Sequence, residues 1–220
     1  MGRPSDPQLL VLHGLRLKGV VEPPSVAEAV DLPVATVEQL LATLAGAGLV
    51  VRHDGLLAGW GLTPDGRREH ERRLAAEAEA EHALDAIEDA YGHFRHLNPR
   101  VLDVCSRWQV RDVAGRPVLN DHADEAYDRA MVGELAAVAR RARPVCDRLG
   151  DALDRYRPYG PRLGHAVERV RAGDTEYFTT PVLPSFHTVW FELHEDLLAT
   201  LGLDRSAEAA SDPPDRQGTT

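Results

Sequence analysis

Apolar positions recur at helical spacing in "QLLVLHGLRLKG" (Gln8 to Gly19), and Gly19 supplies a C-terminal stop. "SVAE" spells a capping box, with Ser25 as N-cap and Glu28 three residues on, opening a short helix through Ala29 and Val30. "DLP" reads as a turn. The next helix, about Val34 to Ala45, gathers Val37, Leu40, Leu41 and Leu44 on one face. "GLVVRHDGLLAGWGLT" then alternates, and Asp54-Gly55 gives a two-residue hairpin signal. From Thr63 the pattern is helical almost to the end. "EHERRLAAEAEAEHALDAIEDAYGHFRHL" has no breaker before Gly92 and Asn98-Pro99, and a separate helix near Val101 to Val110 carries Trp108. "AGRPVLN" reads as a loop, followed by a long helix from about Asp124, kinked at Pro144 and stopping before "RPYGP". "PRLGHAVERVRAG" is a short helix, and "TTPVLP" an extended link into a last helix, "SFHTVWFELHEDLL". Ser185 is its N-cap; Phe186, Val189, Trp190, Leu193, Leu197 and Leu201 form its apolar stripe, leaving Glu192, Glu195 and Asp196 on the outer side.

Helix, helix, turn, helix and hairpin in that order make a winged helix-turn-helix. The expected fold is mainly α: an N-terminal winged helix with a small β-hairpin wing over 1–75, an all-helical dimerisation and effector domain over 76–203, and a disordered tail over 204–220. "ATVEQLLATLAGAGLV" followed by "GLTPDGRREHERRL" resembles the winged-helix domains of the MarR and PadR types. The matching positions are Thr36, Val37, Leu40, Leu41, Leu44, Gly48, Leu49, Val50, Leu62, Thr63, Pro64, Gly66 and Arg67. That resemblance implies a DNA-binding transcriptional regulator acting as a homodimer on double-stranded DNA. "NPRVLDVCSRWQVR", "NDHADEAYDRA", "RVRAGDTEYFTTP" and "SFHTVWFELHEDLL" resemble an actinobacterial helical domain that follows a winged helix. Similar modules are fused behind enzymes of the PEP-utilising, pyruvate phosphate dikinase type. This second resemblance implies an accessory or regulatory role beside such an enzyme.

Composition narrows the picture. With 25 basic and 35 acidic side chains the net charge is −10, so a nucleic-acid contact must come from a local basic surface. Up to residue 75 there are 8 basic and 9 acidic side chains, and the remainder carries −9. Lys18 is the one lysine, and an Arg-, Ala- and Gly-rich chain suggests a high-GC genome. Two cysteines in no CxxC pair argue against a thiolate zinc site or a disulfide framework, and no apolar run is long enough to span a membrane. A cytoplasmic protein without a membrane contact is expected.

On the third helix Ala35, Thr36, Glu38, Gln39, Ala42 and Thr43 face outward. Gln39 can pair with an adenine edge, and Thr36 and Thr43 with bases or phosphates. Arg52 and His53 in the wing and Arg67 and Arg68 beyond it are the expected phosphate contacts, but no Arg or Lys lies on the third helix itself. For a small-molecule effector the candidates are Trp108, His122, Tyr127, Tyr177, His187, Trp190 and His194, aromatics with a few polar groups, which a helical core also needs. His187 and His194 are seven residues apart, so one helix cannot chelate through both; a site would need His122 or His165 as well. Those phrases faintly resemble the metal-binding effector helices of GntR/FadR regulators, which leaves a metal-responsive regulator as an alternative; no metal or cofactor is expected. No nucleophile elbow, P-loop or dinucleotide fingerprint occurs, and an enzyme is not expected. The alternative from another class is a protein-interaction module acting on a PEP-utilising enzyme without DNA binding.

Overall fold

The computed structural model describes residues 4–55 and 58–203. The expected disordered tail, 204–220, lies outside the described residues. The chain is mainly helical, with eight α-helices and two separate two-stranded antiparallel sheets among the described residues.

By its internal contacts the chain divides into two units, one of Met1–Leu10 with Glu79–His194 and the other of Val11–Ala78 with Glu195–Thr220. The chain passes between them three times, inside helices α1 (Pro7–Lys18), α4 (Pro64–Ala80) and α8 (Phe186–Leu201).

The second unit is built on α1, α2 (Pro23–Val30) and α3 (Val34–Gly46) with the hairpin β1 (Val50–His53) and β2 (Gly59–Leu62). α1 ends where expected, Gly19 sitting at φ 79 and donating to the Leu15 carbonyl. α2 does not start at Ser25. Its N-cap is Glu22 without a side-chain cap, and Pro23 and Pro24 open it, their fixed φ being ready-made for a first turn. Asp31 in the left-handed region closes α2, and α3 follows after Pro33. Val11, Leu12, Leu15, Val26, Val37, Leu41, Leu44 and Val50 make one apolar core.

The two-residue turn expected at Asp54-Gly55 is replaced by a five-residue connection, because His53 pairs with Gly59. Val21 explains the register: it exchanges both backbone hydrogen bonds with Trp60, at 2.8 and 3.1 Å. This pairing beyond the hairpin outweighs the local turn signal. A Cβ on Gly59 would lie 2.6 Å from the Val21 backbone, so that approach needs glycine.

The first unit is helical. α5 (Leu84–Gln109) packs along α6 (Glu125–Ala152), which also holds α7 (Tyr159–Arg171). Four expectations change here. The continuous helix across "EAEAEHALDAI" is broken: α4 ends at Ala80, His82 takes φ 52, and α5 begins at Leu84. Conversely α5 runs unbroken through Gly92, Asn98 and Pro99, so there is no separate helix at 101–110. "AGRPVLN" belongs to a second hairpin, β3 (Val110–Val113) with β4 (Arg116–Leu119), turned by Ala114 at φ 55 and Gly115 at φ 79. Two left-handed residues in a two-residue loop match the twist of the strands they join. The long helix runs through Pro144 as a single element. The link before α8 is a run of turns rather than extended chain.

Candidate functional site

The outward face of α3 consists of Ala35, Glu38, Gln39, Ala42 and Thr43, all exposed, with Thr36 half-buried beside them. Val37, Leu41 and Leu44 turn the opposite face into the core. The Thr43 hydroxyl donates to the Gln39 backbone carbonyl at 3.0 Å.

Most of the nearby cations are engaged. Arg52 on β1 holds Glu22 at 3.2 and 3.4 Å. Arg68 pairs with Asp65, and Arg16 with Glu195 at 3.3 Å. Arg72 and Arg73 converge on Glu69 at 2.7 Å, and their guanidinium hydrogen bonds, Arg72's first, hold its carboxyl down at about 2. Arg67, exposed on the first turn of α4, forms no ion pair among the described residues. His53 is exposed at the end of β1, its ring lying over Gly61 of the paired strand.

Five of the seven effector candidates fall into two groups in the helical unit. Trp108 stacks on Phe178 at 4.2 Å between ring centroids and meets the tilted His122 ring at 4.5 Å. His122, at φ 59, contacts Asp128 at 2.9 Å, and the Asn120 amide donates to Asp128 and to the Trp108 carbonyl. Tyr127 lies under the Arg111 guanidinium and donates its hydroxyl to the Arg107 carbonyl at 2.8 Å. Beside Trp108 opens a cavity of about 430 Å³, lined by Asn120, His122, Thr175, Glu176, Thr179 and Thr180 among others. Tyr177 stands apart with Arg169 and His165. Asp124 caps α6, accepting from the Ala126 and Tyr127 amides; the Tyr127 bond above all lowers its pKa.

Trp190 and His194 belong to the second group, which is packed core. Phe94 stacks on Trp190 at 4.4 Å and lies 4.9 Å from His194, while the Trp190 indole donates to Asn98 Oδ1 at 2.9 Å. His187 is half-buried at the start of α8, where burial lowers its proton affinity. Ser185 caps that helix as expected, accepting from the Thr188 amide. Among the described residues no three His, Cys, Asp or Glu side chains are grouped to hold a metal, so His122, His165, His187 and His194 do not converge in that way.

Cys105 and Cys146 are buried free thiols, each pushed up to about 12 chiefly by desolvation. Both should resist alkylation by iodoacetamide in the native protein at about pH 8 and react within minutes once denatured. Stoichiometric native labelling, read by mass spectrometry, would contradict this burial.

The outer side of α8 is not solvated. Glu192 is 2 % exposed and held by Arg162 at 2.6 Å, and Asp196 is fully buried. Asp196 Oδ2 lies 3.0 Å from His13 Nε2, and His13 Nδ1 lies 3.0 Å from His70 Nε2. The sequence carried a signal for this trio. His13 interrupts an apolar run, and His70 occupies the buried every-fourth series Gly66, His70, Leu74, Ala78. Set against known protein families, curated proteins and solved structures, the chain matches none.

Proposed function

We propose that the segment from α1 to β2 is a winged helix-turn-helix and that the protein is a dimeric DNA-binding regulator. The observation that carries this reading is the order α1, Val21 bridge, α2, left-handed turn, α3, β1, β2, in which Val21 pairs with the hairpin at Trp60. α3 keeps one face in the core and leaves Gln39, Thr43 and the edge of Thr36 on the other, the geometry of a helix that enters a major groove. Arg67 and His53 would meet phosphates first, and Arg52 and Arg68 would exchange Glu22 and Asp65 for them. A small-molecule effector would occupy the cavity beside Trp108.

A second reading has its own observation. Arg52, Arg68, Arg72 and Arg73 are neutralised by neighbouring carboxylates, and no cation lies on α3, which suits a winged helix that docks on protein, such as a PEP-utilising enzyme. Selection of genomic fragments by the full-length protein, then fluorescence anisotropy across a salt series, separates the two. The regulator reading expects an enriched near-palindromic site. Arg67→Ala should weaken binding to all sequences alike and reduce the salt slope by about one. No enrichment at low salt would leave the protein-docking reading.

A further inference from the structure

The cavity of about 430 Å³ beside Trp108 is bounded by the ends of α5 and β4, by Asn120 and His122, and by the short helical turn Thr175–Tyr177 with Thr179 and Thr180 after it. All of these lie in the unit of Met1–Leu10 with Glu79–His194. Part of its wall is apolar: Trp108 is buried and stacks on Phe178, and Leu119, 78 % exposed, lines the cavity as well. We propose that this cavity takes a small organic ammonium ion, an amine with an apolar body. The inference deepens the effector reading of the same cavity and rests on it.

The balance of donors and acceptors sets the ligand class. A carboxylate only accepts, so the 2.9 Å contact between His122 Nδ1 and Asp128 Oδ2 places a hydrogen on Nδ1. The neutral ring then keeps its lone pair at Nε2, an acceptor. Asn120 spends both amide hydrogens inside the protein, on the Trp108 carbonyl at 3.1 Å and on Asp128 Oδ1 at 2.9 Å. Its own oxygen accepts from the His122 amide at 3.3 Å. Asn120 therefore has no N–H left for a ligand. The Glu176 carboxylate and the hydroxyls of Thr175, Thr179 and Thr180 complete the polar lining with the Gln109 amide. None of those carboxylate and hydroxyl oxygens has a hydrogen-bond partner among the described residues. Acceptors dominate this set, and an ammonium group brings three N–H donors to it and no acceptor.

Charge points the same way. Among the described residues no Arg or Lys lines the cavity, and Glu176 is its one carboxylate. Cations on flanking elements are paired, Arg111 of β3 with Asp124 at 2.9 Å and Arg169 of α7 with Asp174 at 2.7 Å. Arg129, held by Glu125 at 3.0 Å, and Arg171 line a separate cavity of about 350 Å³, which has Trp108 and Thr175 in common with this one. A carboxylate or phosphate placed beside Glu176 would meet repulsion and few donors. An ammonium there gains a charge-assisted hydrogen bond, the stronger kind. Its alkyl or aromatic body would lie against Trp108 and Leu119, where apolar surface leaves water.

The test titrates the full chain with phenethylammonium and n-hexylammonium, one ring and one chain, by isothermal titration calorimetry at low salt. Phenylpropanoate, an anion of similar size, is the control for charge sign. At least one amine should bind, and the anion at least about tenfold more weakly. Glu176→Gln removes the charge at an exposed position and keeps the side-chain shape, so it should weaken the amine about tenfold. Glu88→Gln, about 30 Å back along α5 from Trp108, should leave the affinity unchanged. No binding of either amine at about 10 mM, an anion that binds as well, or a Glu176→Gln variant that binds like the wild type would each overturn the proposal. The DNA selection is scored separately. An enriched site without amine binding would strike only this inference, and amine binding without enrichment would strike only the regulator reading.

Discussion

Gly66→Ala is expected to lower the melting temperature of the second unit by roughly 10 °C, with far-UV circular dichroism as the readout. A Cβ at this position would stand 1.9 Å from the Leu49 carbonyl oxygen and 2.9 Å from its carbon. That carbonyl has nowhere to go: the Thr63 amide donates to it at 3.0 Å and the Thr63 hydroxyl at 3.1 Å. The same hydroxyl accepts from the Gly66 amide and reaches the Gly48 carbonyl, so the start of β1 and the first turn of α4 are stitched through one threonine. Overpacking against fixed backbone costs about 3 kcal/mol or more. The helix propensity regained by replacing a glycine, about 1 kcal/mol, is too small to offset it. A variant melting with the wild type would mean that the β1–α4 junction gives more freely than these bonds allow.

Phe94→Ala should be the most damaging truncation in the helical unit, at about 4 kcal/mol. The ring is fully buried and packs against both Trp190 and His194, one turn apart on α8, so its loss leaves a cavity that these neighbours cannot close without abandoning the Trp190–Asn98 bond. Chemical denaturation followed by tryptophan fluorescence reads it directly. Leu102→Ala on the same helix is the control: that side chain is 49 % exposed and should shift stability by less than about 0.5 kcal/mol. Equal losses at the two positions would contradict the packing described.

The elements that were legible in the sequence are those whose apolar period is long and bounded by strong punctuation. α1 ends on Gly19, α3 keeps Val37, Leu41 and Leu44 in phase, and α8 begins at a true Ser185 cap. What escaped was decided by packing. The buried series ending at Leu74 and Ala78 resumes at Ala83 and Ile87. Five residues from Ala78 to Ala83 overshoot one turn by about 140°, which a continuous helix cannot absorb. The Ala-Glu composition hides that shift, since alanine suits a core and a surface equally. Pro99 misled in the other direction, for it does not divide its helix. The outward set on α3 was readable from periodicity, whereas the pairing of Arg52 with Glu22 depends on a strand register that only Val21 fixes. The buried trio needed three distant segments together, and Asp196, one of two adjacent acids, looks from sequence like a surface residue.

The division of the chain bears on its biogenesis. The second unit takes its first part from Val11–Ala78 and its last from the turns after His194. Synthesis proceeds from the N-terminus at about 5–20 residues per second. His13 and His70 therefore leave the ribosome many seconds before Asp196 exists to meet them. During that interval the α1–α4 segment has both histidines but not the carboxylate that lies beside His13 in the finished unit. Completion of this unit is thus scheduled by the final helix, and a fragment cut after Ala78 would be frozen at the unfinished stage.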